Sequence, residues 1–139
     1  MRKQRGFTLI ELLVVIAIIG LLSTLAVVAL NNARMKSRDA KRISDVKQIQ
    51  TALELYYNDA NLYPAALGTS IVSGSVTYMA AVPTNPSPRT DGSPAACANA
   101  DYAYTQTAGG ASYTLTYCLG GITGGVPAGS HKAYPGGIQ

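Results

Sequence analysis

Proline is missing from the first 63 residues, charge is missing between Phe7 and Asn31 except at Glu11, and histidine occurs once, at His131. Each gap excludes something. Without proline, nothing forces a break in a helix before Pro64. With a single carboxylate in it, the stretch from Phe7 to Leu30 is 24 residues of almost pure Leu, Ile, Val and Ala, longer than the roughly 20 needed to cross a bilayer as a helix. The lone His131 lies in a Gly-rich tail with no cysteine or carboxylate near it in sequence, so it reads as a solvated loop residue. There is no phosphate-binding loop and no metal-ligand spacing, and no catalytic residue, metal site or cofactor is expected. Carboxylates are scarce beyond Asn58, where only Asp59, Asp91 and Asp101 occur.

The 139 residues allow one domain plus one long element. The net charge of +4 could suggest nucleic acid, but the basic residues are clustered. Arg2, Lys3 and Arg5 precede the apolar run, Arg34, Lys36, Arg38, Lys41 and Arg42 follow it, and only Arg89 and Lys132 lie beyond Lys47. Bases that flank an apolar segment anchor it at a membrane surface, so no direct nucleic-acid contact is predicted. The two cysteines, Cys97 and Cys118, point to a disulfide in an oxidising space, with two free buried thiols as the other reading.

Helical patterning continues past Leu30. Ala33, Ala40, Ile43, Val46, Ile49, Leu53 and Tyr56 recur at spacings near three and four, and predict one stripe to bury. Asp39 with Arg42 and Lys41 with Asp45 predict ion pairs on the opposite, solvated face. The expectation is a single helix from about Phe7 to about Asn58, roughly 75 to 80 Å long at 1.5 Å per residue. Composition then changes, since all seven prolines and twelve of the fourteen glycines lie beyond Asn58. Tyr102–Thr107 and Ser112–Leu119 alternate around Ala108–Ala111 and predict a hairpin, with Tyr113, Leu115, Tyr117 and Leu119 on the face that covers the helix. Between Leu62 and Ala100 a long connecting loop is expected, with a strand or helical turn near Val76–Val82. The tail from Gly120 is expected to pair only briefly.

A secretory signal peptide fits poorly, because its apolar core is about 7 to 15 residues and this one flows into an amphipathic helix; Thr24-Leu25-Ala26 only mimics a cleavage site. A cut before the core fits better. Arg5-Gly6-Phe7-Thr8-Leu9-Ile10-Glu11, behind a short basic leader and ahead of a long apolar segment, resembles the processing site of type IV pilins and of type II secretion pseudopilins. Leu53–Pro64, in which aromatics close a helix and lead into Tyr63-Pro64, is similar to the helix-ending segment of the same family. Many pilins have a proline midway along the apolar helix where this chain has Val28, which leaves Gly20 as the weak point. Major pseudopilins commonly bind calcium through acidic residues of a C-terminal loop, and the three head carboxylates here predict no such site.

The resemblance implies an α+β pilin fold, in which a long N-terminal helix packs on a small antiparallel β-sheet head. It divides the chain into a leader (1–6), a transmembrane and filament-core helix (7–30), an amphipathic helix packing on the head (31–58) and a β-rich head (59–139). It implies that prepilin peptidase cuts between Gly6 and Phe7 and methylates the new amine of Phe7. The precursor would sit in the cytoplasmic membrane with its N-terminus inside, and pass into a helical homo-oligomer through pilus or secretion assembly machinery. Glu11 would cost roughly 2.5 to 3.5 kcal/mol at the bilayer centre, less near the interface. It is expected to offset that cost by pairing with the Phe7 amine of its own or a neighbouring chain; a wet carboxylate at the headgroups is the alternative. The first functional expectation is a surface type IV pilus for adhesion, twitching or DNA uptake. The alternatives are a secretion pseudopilus and a monomeric membrane-anchored adhesin.

Overall fold

The structure, a computed structural model, describes residues 6–89, 97 and 101–138; leader residues 1–5, the carboxylate of Asp91 and part of the expected 62–100 loop lie outside them. Helix α1 runs Leu9–Ala60, two residues displaced at each end from expectation. Six strands follow among the described residues, all within the expected β-rich region: β1 Ile71–Ser73, β2 Val76–Met79, β3 Ala103–Thr107, β4 Ser112–Leu119, β5 Gly129–Tyr134 and β6 Gly137–Ile138. The architecture is α+β. The chain divides at Arg34/Met35 into two units, the first holding the apolar part of α1 and the second the rest of α1 with all six strands.

Within the first unit every apolar side chain of α1 faces outward, from Val15 at 44% exposure to Leu9 at 76%. A helix that is apolar all round has no face to hide, so its burial must come from outside this chain. By length and composition it can cross a membrane.

In the second unit α1 lays Val46, Ile49, Ala52 and Leu53 against Tyr113, Leu115, Tyr117 and Leu119 of β4 and Ala133 of β5. The four β4 residues are those predicted for the inner face. β3 and β4 pair antiparallel with Thr107 opposite Ser112 and Ala103 opposite Thr116. Their connection is a 3-10 turn over Ala108–Gly110 in which three successive residues hold positive φ. Helix α1 stops where Asn61 turns left-handed (φ 56°) and its N–H donates to Tyr57 O at 2.8 Å; Pro64 then prevents resumption.

Three expectations are corrected here. The Gly-rich tail does more than pair briefly, because β5 matches β4 over five positions and lies inside the sheet order β3-β4-β5-β6. Its only fully buried apolar side chain is Ala133, so its sequence carries little alternation and the ladder is templated by β4. His131 accordingly sits on a strand, not a loop, with its ring 5.6 Å from that of Tyr117. The strand expected near Val76–Val82 within the connecting loop is present as β2, and the unexpected β1 pairs with it in a hairpin turned at Gly74 (φ 57°) and anchored by buried Ile71. Third, Asp39, Arg42 and Asp45 are buried, whereas Ala33 and Ala40 are exposed. The buried stripe is Asp39, Arg42, Val46, Ile49 and Leu53, so the Asp39–Arg42 pair lies on it instead of opposite it, while in the second pair Asp45 is buried and Lys41 stays exposed.

Candidate functional site

Two regions carry arranged polar chemistry. At the start of α1, Thr8 and Glu11 form a reciprocal cap. Glu11 Oε2 accepts from the Thr8 N–H at 2.8 Å and from the Thr8 hydroxyl at 2.7 Å, and the Glu11 N–H donates to Thr8 Oγ1 at 3.2 Å. This is a capping box, in which a Thr and a Glu three residues later satisfy each other's unpaired helix-end groups. It gives Glu11 a local role that the sequence reading missed, although Thr8-x-x-Glu11 was visible as its signature. The donors come from Thr8, so a cut between Gly6 and Phe7 would leave the box intact. Oε1 accepts no hydrogen bond among the described residues. Gly6 has no heavy atom within 4 Å of where a Cβ would sit, and Phe7 is 74% exposed, so the bond between them is sterically open.

The second region joins helix and head. Arg42 donates through Nη1 to Asp39 Oδ1 at 2.6 Å, through Nε to Asn85 Oδ1 at 2.7 Å, and through Nη2 to the carbonyls of Pro86 and Pro88 at 3.2 and 2.7 Å. Asp39 in turn accepts the N–H groups of Gly120 and Gly121 at 3.0 and 2.9 Å. One ion pair thus fastens two irregular loops to α1. Backbone groups of such loops must find partners when buried, and here the helix supplies both signs. One step further along, Tyr102 donates to Asp45 Oδ2 at 2.9 Å, and Lys41 reaches the same oxygen at 3.4 Å. Extending the stripe backward from Val46 by four and three residues lands on Arg42 and Asp39, which is the signal that could have placed them.

Aromatic contacts close the far end. The Tyr63 ring stacks on Tyr57 at 4.6 Å and meets Tyr113 edge-on at 4.7 Å, while its hydroxyl donates to the Glu54 carboxylate at 3.0 Å. The Tyr63 N–H donates to Gly110 O at 2.8 Å and Gln106 Nε2 donates to Tyr63 O at 2.6 Å, so the Tyr63-Pro64 step is held from the sheet side. Tyr56 packs on Tyr78, whose hydroxyl donates to Asp59 at 2.7 Å. That bond and desolvation raise the Tyr78 hydroxyl to about 12. Burial, then the hydrogen bond to Asp45, pushes Tyr102 well above the usual phenol range, and burial raises Tyr104 and Tyr113 to about 12.

The structure joins Cys97 to Cys118 with a Cα–Cα distance of 5.8 Å. Both cysteines are buried, and Cys118 lies on β4. Gly6, Phe7 and Glu11 therefore belong to the first unit and the disulfide to the second. Among the described residues no group of three or more His, Cys, Asp or Glu is gathered as metal ligands would be.

The prokaryotic N-terminal methylation motif family matches residues 1–27. Among curated proteins, the chain is 35% identical over 89 residues to the type II secretion system core protein G of Vibrio cholerae serotype O1, covering 64% of this chain and 57% of that protein. It is 45% identical over 62 residues to the protein of the same name from Escherichia coli strain K12, covering 45% and 43% respectively. A "Probable minor fimbrial protein" of Dichelobacter nodosus is 33% identical over 84 residues, covering 54% of this chain and 53% of that protein. The chain thus spans about half the length of the curated relatives it matches. No solved structure gives a significant match. The chain is thus similar to these proteins over its matched segments, carries the prokaryotic N-terminal methylation motif over residues 1–27, and places that motif on the apolar start of α1.

Proposed function

We propose that the chain is the subunit of a helical filament of the secretion-pseudopilus kind. It is made as a membrane precursor, loses residues 1–6 to prepilin peptidase, and is methylated on the Phe7 amine. The segment 7–30 then becomes filament core, 31–58 carries the head, and 59–139 forms the filament exterior. The observation that carries this reading is the outward-facing apolar run of α1, 44–76% exposed in its large side chains, directly behind the Gly6-Phe7 bond. Such a surface is satisfied first by lipid and then by copies of itself. Head-to-tail packing of one surface against a different one is open and grows without closing. Relatives named type II secretion system core protein G, at 35 to 45% identity, favour the pseudopilus over the surface pilus expected from the sequence.

A second reading, a surface pilus, is favoured by the fimbrial relative of Dichelobacter nodosus. Deleting the gene and scoring both secretion and surface fibres separates them. Loss of secreted enzymes with unchanged long fibres supports the pseudopilus; loss of fibres with normal secretion supports the pilus. Mass spectrometry of the mature subunit tests the shared part. A chain starting at Phe7 with one added methyl group is expected, and processing at any other bond would refute the scheme.

Glu11 serves two ends in this scheme. Oε2 holds the Thr8 cap, and Oε1 is available to the Phe7 amine that cleavage creates, in the same or a neighbouring chain. In low dielectric such a pair attracts strongly. Cleavage then acts as a gate, because the positive partner does not exist before it.

A further inference from the structure

The connection between β4 and β5 is seated on the helix. Asp39 accepts the N–H groups of Gly120 and Gly121, and a Cβ at Gly121 would lie 3.1 Å from Met35 Cε. Thr123 and Val126 close the turn by exchanging backbone hydrogen bonds at 2.9 and 3.0 Å. Ile122 stands at this tip with 74% exposure, the highest of any large apolar side chain described beyond the apolar run of α1. The tip has a defined place in the head. β4 starts beside Leu62 and Tyr63, through Gly110, and ends at Asp39 and Met35, so it runs against α1 and delivers Ile122 to the end of the head where α1 enters. Five residues separate Met35 from Leu30, and even a fully extended chain would span only about 17 Å over that interval. Lys36, exposed beside Met35, adds positive charge there. The carboxylate of Asp39 is already engaged by Arg42 and two backbone amides.

We propose that this tip is a lipid-contacting foot. While the subunit waits in the membrane, Ile122 enters the headgroup layer of an anionic phospholipid surface and Lys36 pairs with lipid phosphate. The proposal rests on the reading of the chain as a membrane-spanning precursor. The charge beside the tip selects anionic lipid as the occupant. A single apolar side chain between glycines buries far too little for a specific protein interface, which needs about 1,000 Å². It is well suited to shallow insertion next to a basic residue.

The chain contains no tryptophan, so single substitutions give single fluorescent reporters. The full chain is reconstituted into phosphatidylcholine vesicles with and without phosphatidylglycerol, using brominated lipid as quencher. Three variants are compared: Ile122→Trp at the tip, Leu22→Trp in the apolar run, and Val72→Trp on the hairpin that packs near Tyr56 and Asp59. The expected result is strong quenching of the Leu22→Trp reporter in both vesicles. The Ile122→Trp reporter should be quenched and blue-shifted with phosphatidylglycerol, and the Val72→Trp reporter should stay water-like. Adding Lys36→Gln to Ile122→Trp should lower the ratio of inserted to free tip about fivefold in anionic vesicles, the effect of removing one charge near such a surface. If the tip reporter is as water-exposed as the hairpin reporter while Leu22→Trp is quenched, the foot is refuted and the membrane span stands. If Leu22→Trp is itself unquenched, the precursor reading fails. Shielding of the tip that fades as protein is diluted among vesicles, or that ignores Lys36→Gln, would overturn lipid recognition and assign the tip to a second copy of the chain.

Discussion

Removing the Arg42 side chain strands more than one partner. Asp39 would remain buried with a full negative charge, and the carbonyls of Pro86 and Pro88 would lose their donor. Breaking a buried pair on one side typically costs about 3–5 kcal/mol, so Arg42→Met should destabilise the head by that order in urea unfolding of the full chain in detergent. Replacing both members by apolar residues often restores such losses. Here it should restore only part, because Gly120 and Gly121 N–H would still lack the acceptor that Asp39 provides. Full recovery in an Asp39→Leu/Arg42→Met double variant would show that the loops do not depend on the pair. At Glu11 a similar separation of roles is available. Glu11→Gln keeps an oxygen for the Thr8 cap while losing the charge, and Glu11→Ala loses both. If the amine pairing drives docking, the two variants should be cut normally and assemble equally poorly, as read by filament yield from cells. Assembly by Glu11→Gln at the native level would assign Glu11 to the cap alone.

Among the elements, the β3–β4 connection is the most exacting. Gly110 holds φ 97°, and a Cβ there would lie 3.1 Å from both Leu62 Cβ and Gln106 Nε2. Gly110→Ala should therefore cost about 1–2 kcal/mol from the backbone alone, plus the crowding, while Gly74→Ala, with open space around it, should cost only the backbone part. Comparing their urea midpoints checks this. The same hairpin shows what sequence can disclose. Its strands and inner face were legible because Tyr113, Leu115, Tyr117 and Leu119 alternate and a turn divides the run. The helix was legible in extent from the missing prolines, and the N-terminal motif from its residues. What stayed hidden lacks a side-chain pattern: β5 contributes backbone and one inward Ala133, and β1 is three residues long. The clamp was hidden for a different reason. Charges at helical spacing are usually solvated, and it is loops brought from positions 85–88 and 120–121 that make burial of Asp39 and Arg42 favourable. Glu11 was legible as an anomaly, yet its Thr8 partner was passed over.

At the scale of the whole molecule, tyrosines make the head sensitive to alkali. Tyr102, Tyr113 and Tyr117 are buried and titrate above the ordinary value of 10 in the folded state, Tyr113 at about 12. Between those limits the unfolded chain has lost protons that the folded chain retains, so stability falls as pH rises. It should be level below about pH 9, then drop by about 1.4 kcal/mol per pH unit for each such tyrosine. Thermal midpoints read alongside tyrosinate absorbance check the sign; phenols that ionise near 10 while the head stays folded would contradict it. The disulfide acts over the same body. It closes a separation of 21 residues, and by chain entropy its loss in Cys97→Ser/Cys118→Ser should cost about 3 kcal/mol, measurable as a lower urea midpoint.

The interior position of β5 also dictates a schedule. Gln50 of α1 donates to the carbonyls of Tyr134 and Gly137, 84 and 87 residues away, and β5 supplies the second edge of β4. If the chain is delivered across a membrane from its N-terminal side, as the proposed function requires, it presents β4 before its neighbour arrives. During that interval Leu115–Leu119 has unpaired backbone groups along one side and apolar side chains on the face meant for α1, a template for strands of other nascent copies. Arrival of Gly129–Tyr134 is the event that caps this edge, so the strand with the least distinctive sequence is the one that decides whether crowded copies of the chain remain separate.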